Sequence, residues 1–591
     1  MPSSDKSDGS RERERTHEVE EVEWQFEAPD PRAVRRWLRA APFAPALALD
    51  ASGIQSLDDT YYDTEDWRLY RAGCALRVRR VGDRVEATMK SRATASSGPE
   101  RRREITGAIA DGGRVARDGT EPGVGLGPGP LATRIALIAG RHPLQPVVML
   151  HTRRERFALQ RGGMLIAEVA IDRTKVRASA ATTPTQLDRV EVELRGPAAE
   201  EVEAFVEALR GACGLERSTQ SKYEAALAAA GVTPVAVPDV GPTTIDDRMA
   251  IGAVAFAVLR RSFVAFLSAE PGTRIGDDVD ALHDMRVAIR RLRTAMRLFV
   301  DALPRRAAGL RDVLGWLGTA LGAVRDLDVQ LEQLRSWRAE MGFAAGEPVD
   351  GIAAVMWRRR LVARDRMLRA LDSRRYDRFV ARFTELLRRG PTRSMAGARR
   401  PVLAAAPELI TRRVRKLQKV ADRLDRTSPA GDYHSARIQA KRLRYALEAH
   451  CDIYGKPLRA LLRAVVALQD LLGKHQDAAV AAEQLRALCA ARGPVVRREA
   501  AFVIGGIAER YGTRAARLRR RFPTRYRRVR GRRWKRLKRA MEARLPVTRR
   551  ARRGPIAAPP RRARAHAAGL DPSTGRPVAA RRVRAAREGE A

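Results

Sequence analysis

The sequence predicts two structured parts: an α+β N-terminal domain built on antiparallel strands, and an all-α domain of two related helical bundles. Three observations support this division. Short runs of alternating polar and apolar residues recur through residues 18–231, a spacing typical of strands. From residue 247 to about residue 520, apolar residues instead recur every three or four positions, which indicates helices. A stretch of the second part occurs twice at an offset of 151 residues, which indicates an internal repeat.

Composition marks the limits of these parts. Residues 1–17 are polar and charged, so we expect them to be disordered. A proline-rich stretch, residues 232–246, is predicted to be the linker between the two parts. Residues 521–591 are rich in arginine and poor in apolar residues, so we expect a mostly disordered tail that could bind nucleic acid by charge alone.

The charge of the chain restricts its partners. The 591 residues include 113 Lys and Arg against 70 Asp and Glu, a formal net charge of +43. Such a charge favours nucleic acid, an anionic membrane surface or a chain of phosphates. The cysteines are isolated (Cys74, Cys213, Cys451 and Cys489), which argues against a disulfide framework or a zinc site. No apolar run approaches the roughly 20 residues of a membrane span, and we expect a soluble, cytoplasmic protein.

The duplicated stretch begins with a histidine followed by three cations. The first copy has His283, Arg286, Arg290 and Arg293, and the second has His434, Arg437, Lys441 and Arg444. Offsets of 3, 7 and 10 residues lie within an arc of roughly 80° on a helix. We call the two sets the basic strips. Cations spaced by one or two helical turns suit a polyanion.

The residues alone leave other roles open for the basic strips. A charged helix face is commonly just solvated, although two copies in one register argue against that interpretation. The histidines could bind a metal, yet no second histidine recurs in both copies. They could also lie buried and hydrogen-bonded in a bundle, or carry partial charge beside a phosphate.

Charged residues alternate along the strands of the N-terminal domain. Glu21 and Glu23 share one strand face by the two-residue period. The same periodicity relates Arg77 to Arg79, Arg154 to Arg156, Glu168 to Asp172, and Glu191 to Glu193. The opposite face of these strands is apolar. The charged face could be the solvated side of an open sheet or the lumen of a closed barrel, and alternation does not decide between them.

Residues 18–231 resemble a CYTH domain, of the triphosphate tunnel metalloenzyme family. The resemblance rests on Glu21-Val-Glu23-Trp-Gln25, Tyr61-Tyr-Asp-Thr-Glu-Asp-Trp-Arg-Leu, Gly73-Cys-Ala-Leu-Arg-Val-Arg, Ala167-Glu-Val-Ala-Ile-Asp172, Glu191-Val-Glu193 and Ser221-Lys222-Tyr223. It implies an antiparallel β-barrel tunnel of eight strands. It also implies that carboxylates in the tunnel hold Mg²⁺ or Mn²⁺ and that cations there grip a triphosphate.

The resemblance also implies residue roles. Metal binding falls to Glu21, Glu23, Glu168, Asp172, Glu191 and Glu193. Triphosphate binding falls to Arg77, Arg79, Lys90, Arg154, Arg156 and Lys222. The signature lysine is replaced by Gln25, whose amide carries no charge, so no catalytic residue is assigned. The expected step is metal-assisted attack of water on the terminal phosphate. Adenylyl cyclase is another chemistry of this fold, but no residue here indicates adenine recognition.

The duplicated helical part resembles a CHAD domain over about residues 247–520. His283 and His434 with their basic strips are the motif residues, and Asp326 and Asp477 also match. The resemblance implies two four-helix bundles around a basic groove that binds inorganic polyphosphate. The sequence thus predicts a metal-dependent triphosphate or polyphosphate hydrolase. The alternatives are a non-catalytic polyphosphate-binding protein, associated with granules, and a basic nucleic-acid-binding protein.

Overall fold

A computed structural model describes residues 18–40, 47–92, 99–109, 125–177, 185–392, 396–490 and 498–545. The predicted disordered segment 1–17 and most of the predicted tail, residues 546–591, lie outside the described residues. Within the described ranges the chain forms a β-barrel with attached helices, followed by a helical domain. Both predicted parts are therefore present.

In the part of the chain that the structure describes, the barrel contains eight antiparallel strands, and a ninth short strand pairs with the end of the first. The strands are β1 (Glu18–Glu27), β2 (Leu47–Asp63), β3 (Cys74–Val81), β4 (Arg84–Ser91), β5 (Glu100–Ala108), β6 (Gln145–Arg161), β7 (Met164–Arg177), β8 (Thr185–Leu194) and β9 (Glu216–Arg217). Their order is β5-β4-β3-β2-β6-β7-β8-β1-β9. Strand β1 closes the barrel because its first part pairs with β5 and its second part with β8.

Among the described residues, four helices cover the outside of the barrel: α1 (Pro31–Ala40), α2 (Arg68–Arg71), α3 (Pro130–Ala139) and α4 (Ala199–Cys213). Helix α5 (Lys222–Ala229) instead packs on the inward-facing residues Val148, Leu150 and Val176 at one end of the barrel. Helices α1 and α4 pack on the apolar residues of β1, β6, β7 and β8, including Trp24, Val169 and Val192. Helix α3 packs on β3, β4 and β5 through Ile135 and Ile138. The apolar strand faces therefore point outward beneath helices, and the charged faces point into the lumen. This arrangement confirms the tunnel rather than a solvated open sheet.

Among the described residues, the helical domain contains nine helical stretches: α6 (Ile251–Ile275), α7 (Val279–Leu298), α8 (Ala307–Leu371), α9 (Arg374–Arg389), α10 (Val402–Ala421), α11 (Ala430–Glu448), α12 (Cys451–Ala490), α13 (Arg498–Arg530) and α14 (Arg532–Glu542). Helix α12 is interrupted at Gly455, whose backbone is not helical. Two short 3₁₀ helices, Val300–Ala302 and Ala396–Arg399, lie between them. The chain reverses direction within α8, because Arg360 Nε lies 2.5 Å from Asp328 Oδ1. A straight helix would separate these residues by roughly 48 Å.

The two copies of the repeat are related by a local two-fold arrangement where α6 and α10 begin. The Ile251 amide donates to the Arg400 carbonyl at 2.8 Å, and the Val402 amide donates to the Met249 carbonyl at 3.0 Å. Ile251 and Val402 are 151 positions apart, as are Met249 and Arg400, so equivalent residues exchange equivalent bonds. Buried residues of both copies join in one continuous core.

Helix α6 is the one described helix that is long and apolar enough to cross a membrane by length and composition. This differs from the expectation that no apolar run approaches a membrane span. About two thirds of the apolar window (67%) is buried inside the structure, where Phe256, Phe263 and Phe266 pack in the bundle core. Its surroundings are those of a core helix.

The helical domain extends beyond the predicted boundary at residue 520. Helix α13 continues to Arg530 and α14 ends at Glu542. Phe522, Tyr526 and Leu537 are buried against the core, so the first 25 residues of the predicted tail are folded. Arginine-rich composition concealed their apolar positions, which recur at helical spacing.

Buried ion pairs connect the barrel to the first copy of the repeat. Glu270 of α6 accepts from Arg274 Nε at 2.8 Å and from Arg71 Nη2 of α2 at 3.2 Å. Arg274 Nη1 also donates to Asp372 at 2.6 Å. Burial opposes the charge of Glu270, but Arg274 and Arg71 outweigh burial and lower its pKa to about 2. The equivalent position in the second copy is Ala421, so only the first copy offers this carboxylate to the barrel.

Candidate functional site

The barrel encloses a cavity of about 880 Å³ lined by charged residues from seven of its eight main strands, while β2 contributes Gln55 and Tyr61. Eleven of the twelve predicted barrel site residues line it: Glu21, Glu23, Arg77, Arg79, Lys90, Arg154, Arg156, Glu168, Glu191, Glu193 and Lys222. Cations outnumber carboxylates along its wall. Strand alternation brings ten of these residues together because each of them faces the lumen, and Lys222 reaches the cavity from the start of α5.

Carboxylates crowd one side of the cavity, where β1 pairs with β8. Glu23 lies opposite Glu193 in the strand register. Burial, followed by the charge of Glu21, raises the pKa of Glu23 and that of Glu193 to about 7. These carboxylates repel one another, so an additional positive charge placed among them would favour their ionised forms.

Most lumen cations already pair with carboxylates. Lys90 Nζ donates to both oxygens of Glu21, at 2.8 and 2.7 Å. Arg156 forms a two-pronged pair with Glu168 at 3.0 and 2.9 Å. Arg77 differs, because its Nε is buried and has no hydrogen-bond partner among the described residues. A phosphate oxygen in the cavity would supply that missing acceptor.

Asp172 is the predicted site residue that does not line the cavity. Its oxygens accept from Arg154 Nε and Nη2, both at 2.7 Å, and from Lys222 Nζ at 2.6 Å. Burial opposes its charge, but Lys222 and Arg154 hold the pKa of Asp172 below its usual range. Ser221 caps the helix that carries Lys222. Asp172 therefore lies on the inward face of β7, buried beneath the two lumen cations that it fixes.

Gln25 faces the lumen at the position where the CYTH resemblance leads us to expect a lysine. Its Nε2 donates to Glu23 Oε1 at 2.9 Å, and its Oε1 accepts from Arg189 Nη1 at 3.4 Å. Arg102 Nη1 lies 3.1 Å from the same Glu23 oxygen. The amide thus serves as donor and acceptor, a combination that a lysine side chain does not offer.

The basic strips lie on α7 and α11, which contact each other across the two copies. Arg290 Nε donates to the Tyr445 hydroxyl at 2.8 Å. Arg286 packs against Gly322 and Arg437 packs against Gly473, and a Cβ added at either glycine would lie 3.8 Å from the arginine. The two glycines are equivalent positions of the repeat, so the two arginines pack on the neighbouring helix in the same way.

The charges of the two strips affect each other. Burial, together with Arg290, Arg437, Arg444 and Arg286, lowers the pKa of Lys441 to about 8. Arg290 and Arg286 belong to the other copy of the repeat. The two strips therefore form one concentration of positive charge, which the sequence alone did not require. Two of its cations have carboxylate partners: Arg286 pairs with Asp326 at 3.1 Å and Arg444 with Glu448 at 2.6 Å.

The motif histidines are exposed at the surface end of the strips. His283 and His434 are both exposed, which excludes the interpretation that they are buried bundle residues. Other histidines occupy buried positions. His450 Nδ1 lies 2.7 Å from the Ala446 carbonyl, and His475 accepts from Arg519 Nε at 3.0 Å.

Comparison with known domain families gives two matches. The CYTH domain model matches residues 43–226, and the CHAD domain model matches residues 257–486. The chain contains a CYTH domain followed by a CHAD domain. Both resemblances noted from the sequence are thereby confirmed. No curated protein matches the chain.

Several solved structures are similar to parts of the chain. The CHAD domain from the plant Ricinus communis is 27% identical, with 49% of this chain and 96% of that chain covered and a TM-score of 0.39. PptA from Streptomyces chartreusis is 21% identical, with coverages of 47% and 99% and a TM-score of 0.38. HpAC1 from Hippeastrum, described as having a dominant triphosphatase activity, is 18% identical, with coverages of 36% and 97% and a TM-score of 0.25.

CYTH domains are generally metal-dependent, so a metal ion would need ligands among the residues of this tunnel. Among the described residues, no three side chains of His, Cys, Asp or Glu converge closely enough to coordinate a metal. The carboxylates of Glu21, Glu23 and Glu193 nevertheless fit a hard divalent cation in their chemistry, since they are oxygen donors that repel one another. Each of these carboxylates also has a cationic partner, Lys90, Arg102 and Arg195 respectively, as do Glu191 and Glu168 of the same cavity, which pair with Arg154 and Arg156.

Sequence reasoning missed three charged residues of the CYTH tunnel. Arg102 of β5 lies opposite Glu21 in the register, Glu104 lies 3.1 Å from Lys90, and Asp59 accepts from Arg79 at 2.7 and 2.8 Å. The two-residue spacing of Arg102 and Glu104 was a usable signal. Its meaning depends on the pairing of β1 with β5, which closes the barrel over a long sequence separation.

Proposed function

We propose that this protein is a divalent-metal-dependent hydrolase of inorganic triphosphate or polyphosphate, and that its CHAD domain binds the polyphosphate chain. The observation that carries the proposal is the closed tunnel of about 880 Å³, in which crowded carboxylates and an excess of cations share one lumen. Phosphoryl transfer needs both: positive charge around the phosphate oxygens and oxygen ligands for a hard cation.

The tunnel residues divide into two sets in this proposal. Glu21, Glu23 and Glu193 would hold Mg²⁺ or Mn²⁺, and the bound ion would polarise the phosphoryl oxygens. Arg77, Lys90 and Arg154 come from three different strands and face the lumen. Their cations would orient a triphosphate and neutralise charge that develops on its oxygens. Release of Lys90 from Glu21 would accompany metal binding, because both compete for the same carboxylate.

The CHAD domain supplies the chain-binding surface in the same proposal. The paired basic strips on α7 and α11 place six cations and two exposed histidines on one surface. Burial and the neighbouring arginines together lower the pKa of Lys441, as expected where like charges lie close together. A linear polyanion with closely spaced charges would relieve this repulsion.

A second candidate is a non-catalytic polyphosphate-binding protein of the cytoplasm, associated with polyphosphate granules. The specific observation in its favour is Gln25, whose neutral amide is held by Glu23 and Arg189 where the CYTH signature has a lysine. Both candidates share the CHAD surface and differ only in whether the tunnel turns over its ligand.

Phosphate release from tripolyphosphate, measured with Mg²⁺ and then with Mn²⁺, separates the two candidates. The full chain should release phosphate, and Glu21→Gln/Glu23→Gln should reduce the rate by about 100-fold or more, the scale of losing key electrostatic groups. Glu200→Gln/Glu203→Gln, two exposed carboxylates of α4, is the matched control and should retain the rate.

Polyphosphate binding, measured in EDTA, completes this experiment. Retained binding without phosphate release from either metal would reject the hydrolase and favour the binding protein. Double-stranded DNA that displaces polyphosphate at equal phosphate concentration would reject polyphosphate as the preferred partner of the strips.

A further inference from the structure

Seven arginines line a second groove on the CHAD domain, formed by α12, the end of α13 and the start of α14. The groove has a volume of about 860 Å³ and is lined by Arg463, Arg525, Arg527, Arg528, Arg532, Arg533 and Arg536. All seven are exposed. None of the residues lining it is a carboxylate or an aromatic ring.

The sequence folds into this groove because each helix has two distinct faces. Phe522, Tyr526 and Val529 of α13 and Leu537 of α14 point into the bundle core. The arginines between them therefore lie on the opposite, outer face at helical spacing. On α12, Ala460, Ala464 and Ala467 form a floor of small side chains, which leaves room between the arginine-bearing helices.

The groove is separate from the basic strips. Gly473 of α12 lies beside Arg437 of the second strip, whereas Ala464 of the same helix lines the groove. Nine residues separate these positions, which places them roughly 180° apart around the helix. The strip and the groove therefore lie on opposite sides of α12.

The charges of the groove lack partners of opposite sign. Among the described residues, none of the seven arginines forms an ion pair with a carboxylate, although the neighbouring Arg530 pairs with Asp422 at 3.4 Å. Like charges gathered in a concavity raise the local potential and attract a polyanion. Guanidinium groups are also the side chains best matched to phosphate oxygens.

We propose that this groove is a second polyanion-binding site and that its ligand is a linear chain of inorganic phosphates. The absence of aromatic residues from its lining argues against single-stranded nucleic acid, which such proteins hold by stacking bases on aromatic rings. The site goes beyond the tunnel and the strips, and it does not depend on hydrolysis by the tunnel.

The test uses the full chain in EDTA and a fluorescent linear polyphosphate, so that no hydrolysis consumes the probe. Arg528→Gln/Arg532→Gln/Arg536→Gln is compared with Arg517→Gln/Arg520→Gln/Arg521→Gln, three exposed arginines of α13 that do not line the groove. Both variants remove three positive charges. Each is made in wild type and in the strip variant Arg286→Gln/Arg437→Gln.

The groove variant should weaken polyphosphate binding by about tenfold in the strip-variant background and reduce the slope of log affinity against log salt by about 2 to 3. The control variant should change the affinity by no more than about twofold and the slope by no more than about 1. Equal effects of the two variants would overturn the proposal, because net charge alone would then explain binding.

Two further outcomes also overturn the proposal. If the strip variant alone abolishes polyphosphate binding, the groove contributes nothing, while the proposed function of the tunnel and strips stands. If single-stranded DNA binds the strip variant more tightly per phosphate than polyphosphate does, the ligand assignment is wrong. Circular dichroism and thermal melting of each variant check that the helices remain folded.

Discussion

Arg290 of one CHAD repeat donates from Nε to the hydroxyl of Tyr445 in the other repeat, across 2.8 Å. This bond joins the helices that carry the two basic strips. The strips consequently act on each other electrostatically, and Lys441 is affected by arginines of both copies. Charge at this surface is a property of the paired repeats, not of either helix alone.

Polyphosphate affinity should fall as the pH rises from 7 to 9, because Lys441 loses its proton around pH 8. The expected decrease is about threefold to tenfold, the range for a shift of up to one pKa unit on binding. Lys441→Arg keeps its charge over this range and should bind almost independently of pH. The measurement is fluorescence titration with labelled polyphosphate at constant salt, and an equal decrease in wild type and variant would contradict the prediction.

Gln25→Lys should increase the rate of phosphate release about tenfold, since a cation beside Glu23 would favour its ionised form and assist phosphate binding. The same change removes the acceptor of Arg189 Nη1, which leaves that arginine only its pair with Glu27 at 2.9 Å among the described residues. It should lower the free energy of unfolding by about 1–2 kcal/mol. Gln25→Met is the control, and it should lose the same stability without any gain in the rate of phosphate release. Phosphate release and urea unfolding are both measured, and a rate gain with methionine would refute the role of charge.

Glu193→Gln should stabilise the metal-free protein at pH 8 by about 1–3 kcal/mol. The pKa of Glu193 is about 7 in the fold, against an ordinary value of 4.5, so the folded state loses stability as the pH rises from about 4.5 to 7 and keeps that penalty at higher pH. Below pH 4.5 the carboxyl is neutral whether folded or unfolded, and the difference should vanish. Urea unfolding in EDTA at pH 8 and pH 4.5 tests this, with Glu203→Gln on α4 as the exposed control.

Glu270→Gln should destabilise the protein at pH 7 by about 3 kcal/mol, because it leaves Arg71 and Arg274 buried beside a neutral group. The folded pKa of Glu270 is depressed to about 2, so its contribution is present above pH 4.5 and is lost as the pH falls toward 2. Urea unfolding across this pH range is the measurement.

Asp277→Asn is the matched control for Glu270→Gln. Asp277 also joins the two domains, pairing with Arg103 at 3.1 Å and Arg134 at 2.7 Å, but about half of its side chain is exposed. Exposed ion pairs contribute about 0–1 kcal/mol, so this variant should change stability little. Equal losses in the two variants would show that burial of Glu270 is not what holds the domains together.

Local sequence patterns were sufficient to predict much of the fold and many of the site residues. The two-residue period placed Glu21, Glu23, Arg77 and Arg79 on one face of their strands, and closure of the barrel brought those faces into one cavity. Composition was misleading at the C-terminal end, where arginines around Phe522 and Leu537 suggested a disordered tail although both residues are buried.

The sequence by itself determined the alternation of the strands, the 151-residue repeat and the alignment of cations on α7 and α11, because these depend only on side-chain spacing along regular backbone. Tertiary structure decided which strand face is inside, that Asp172 is buried beneath Arg154 and Lys222, and that the two strips share one surface. Each of these depends on contacts between residues far apart in the chain. Closure of β1 against β5 and the pairing of α7 with α11 create those contacts, and no local period encodes them.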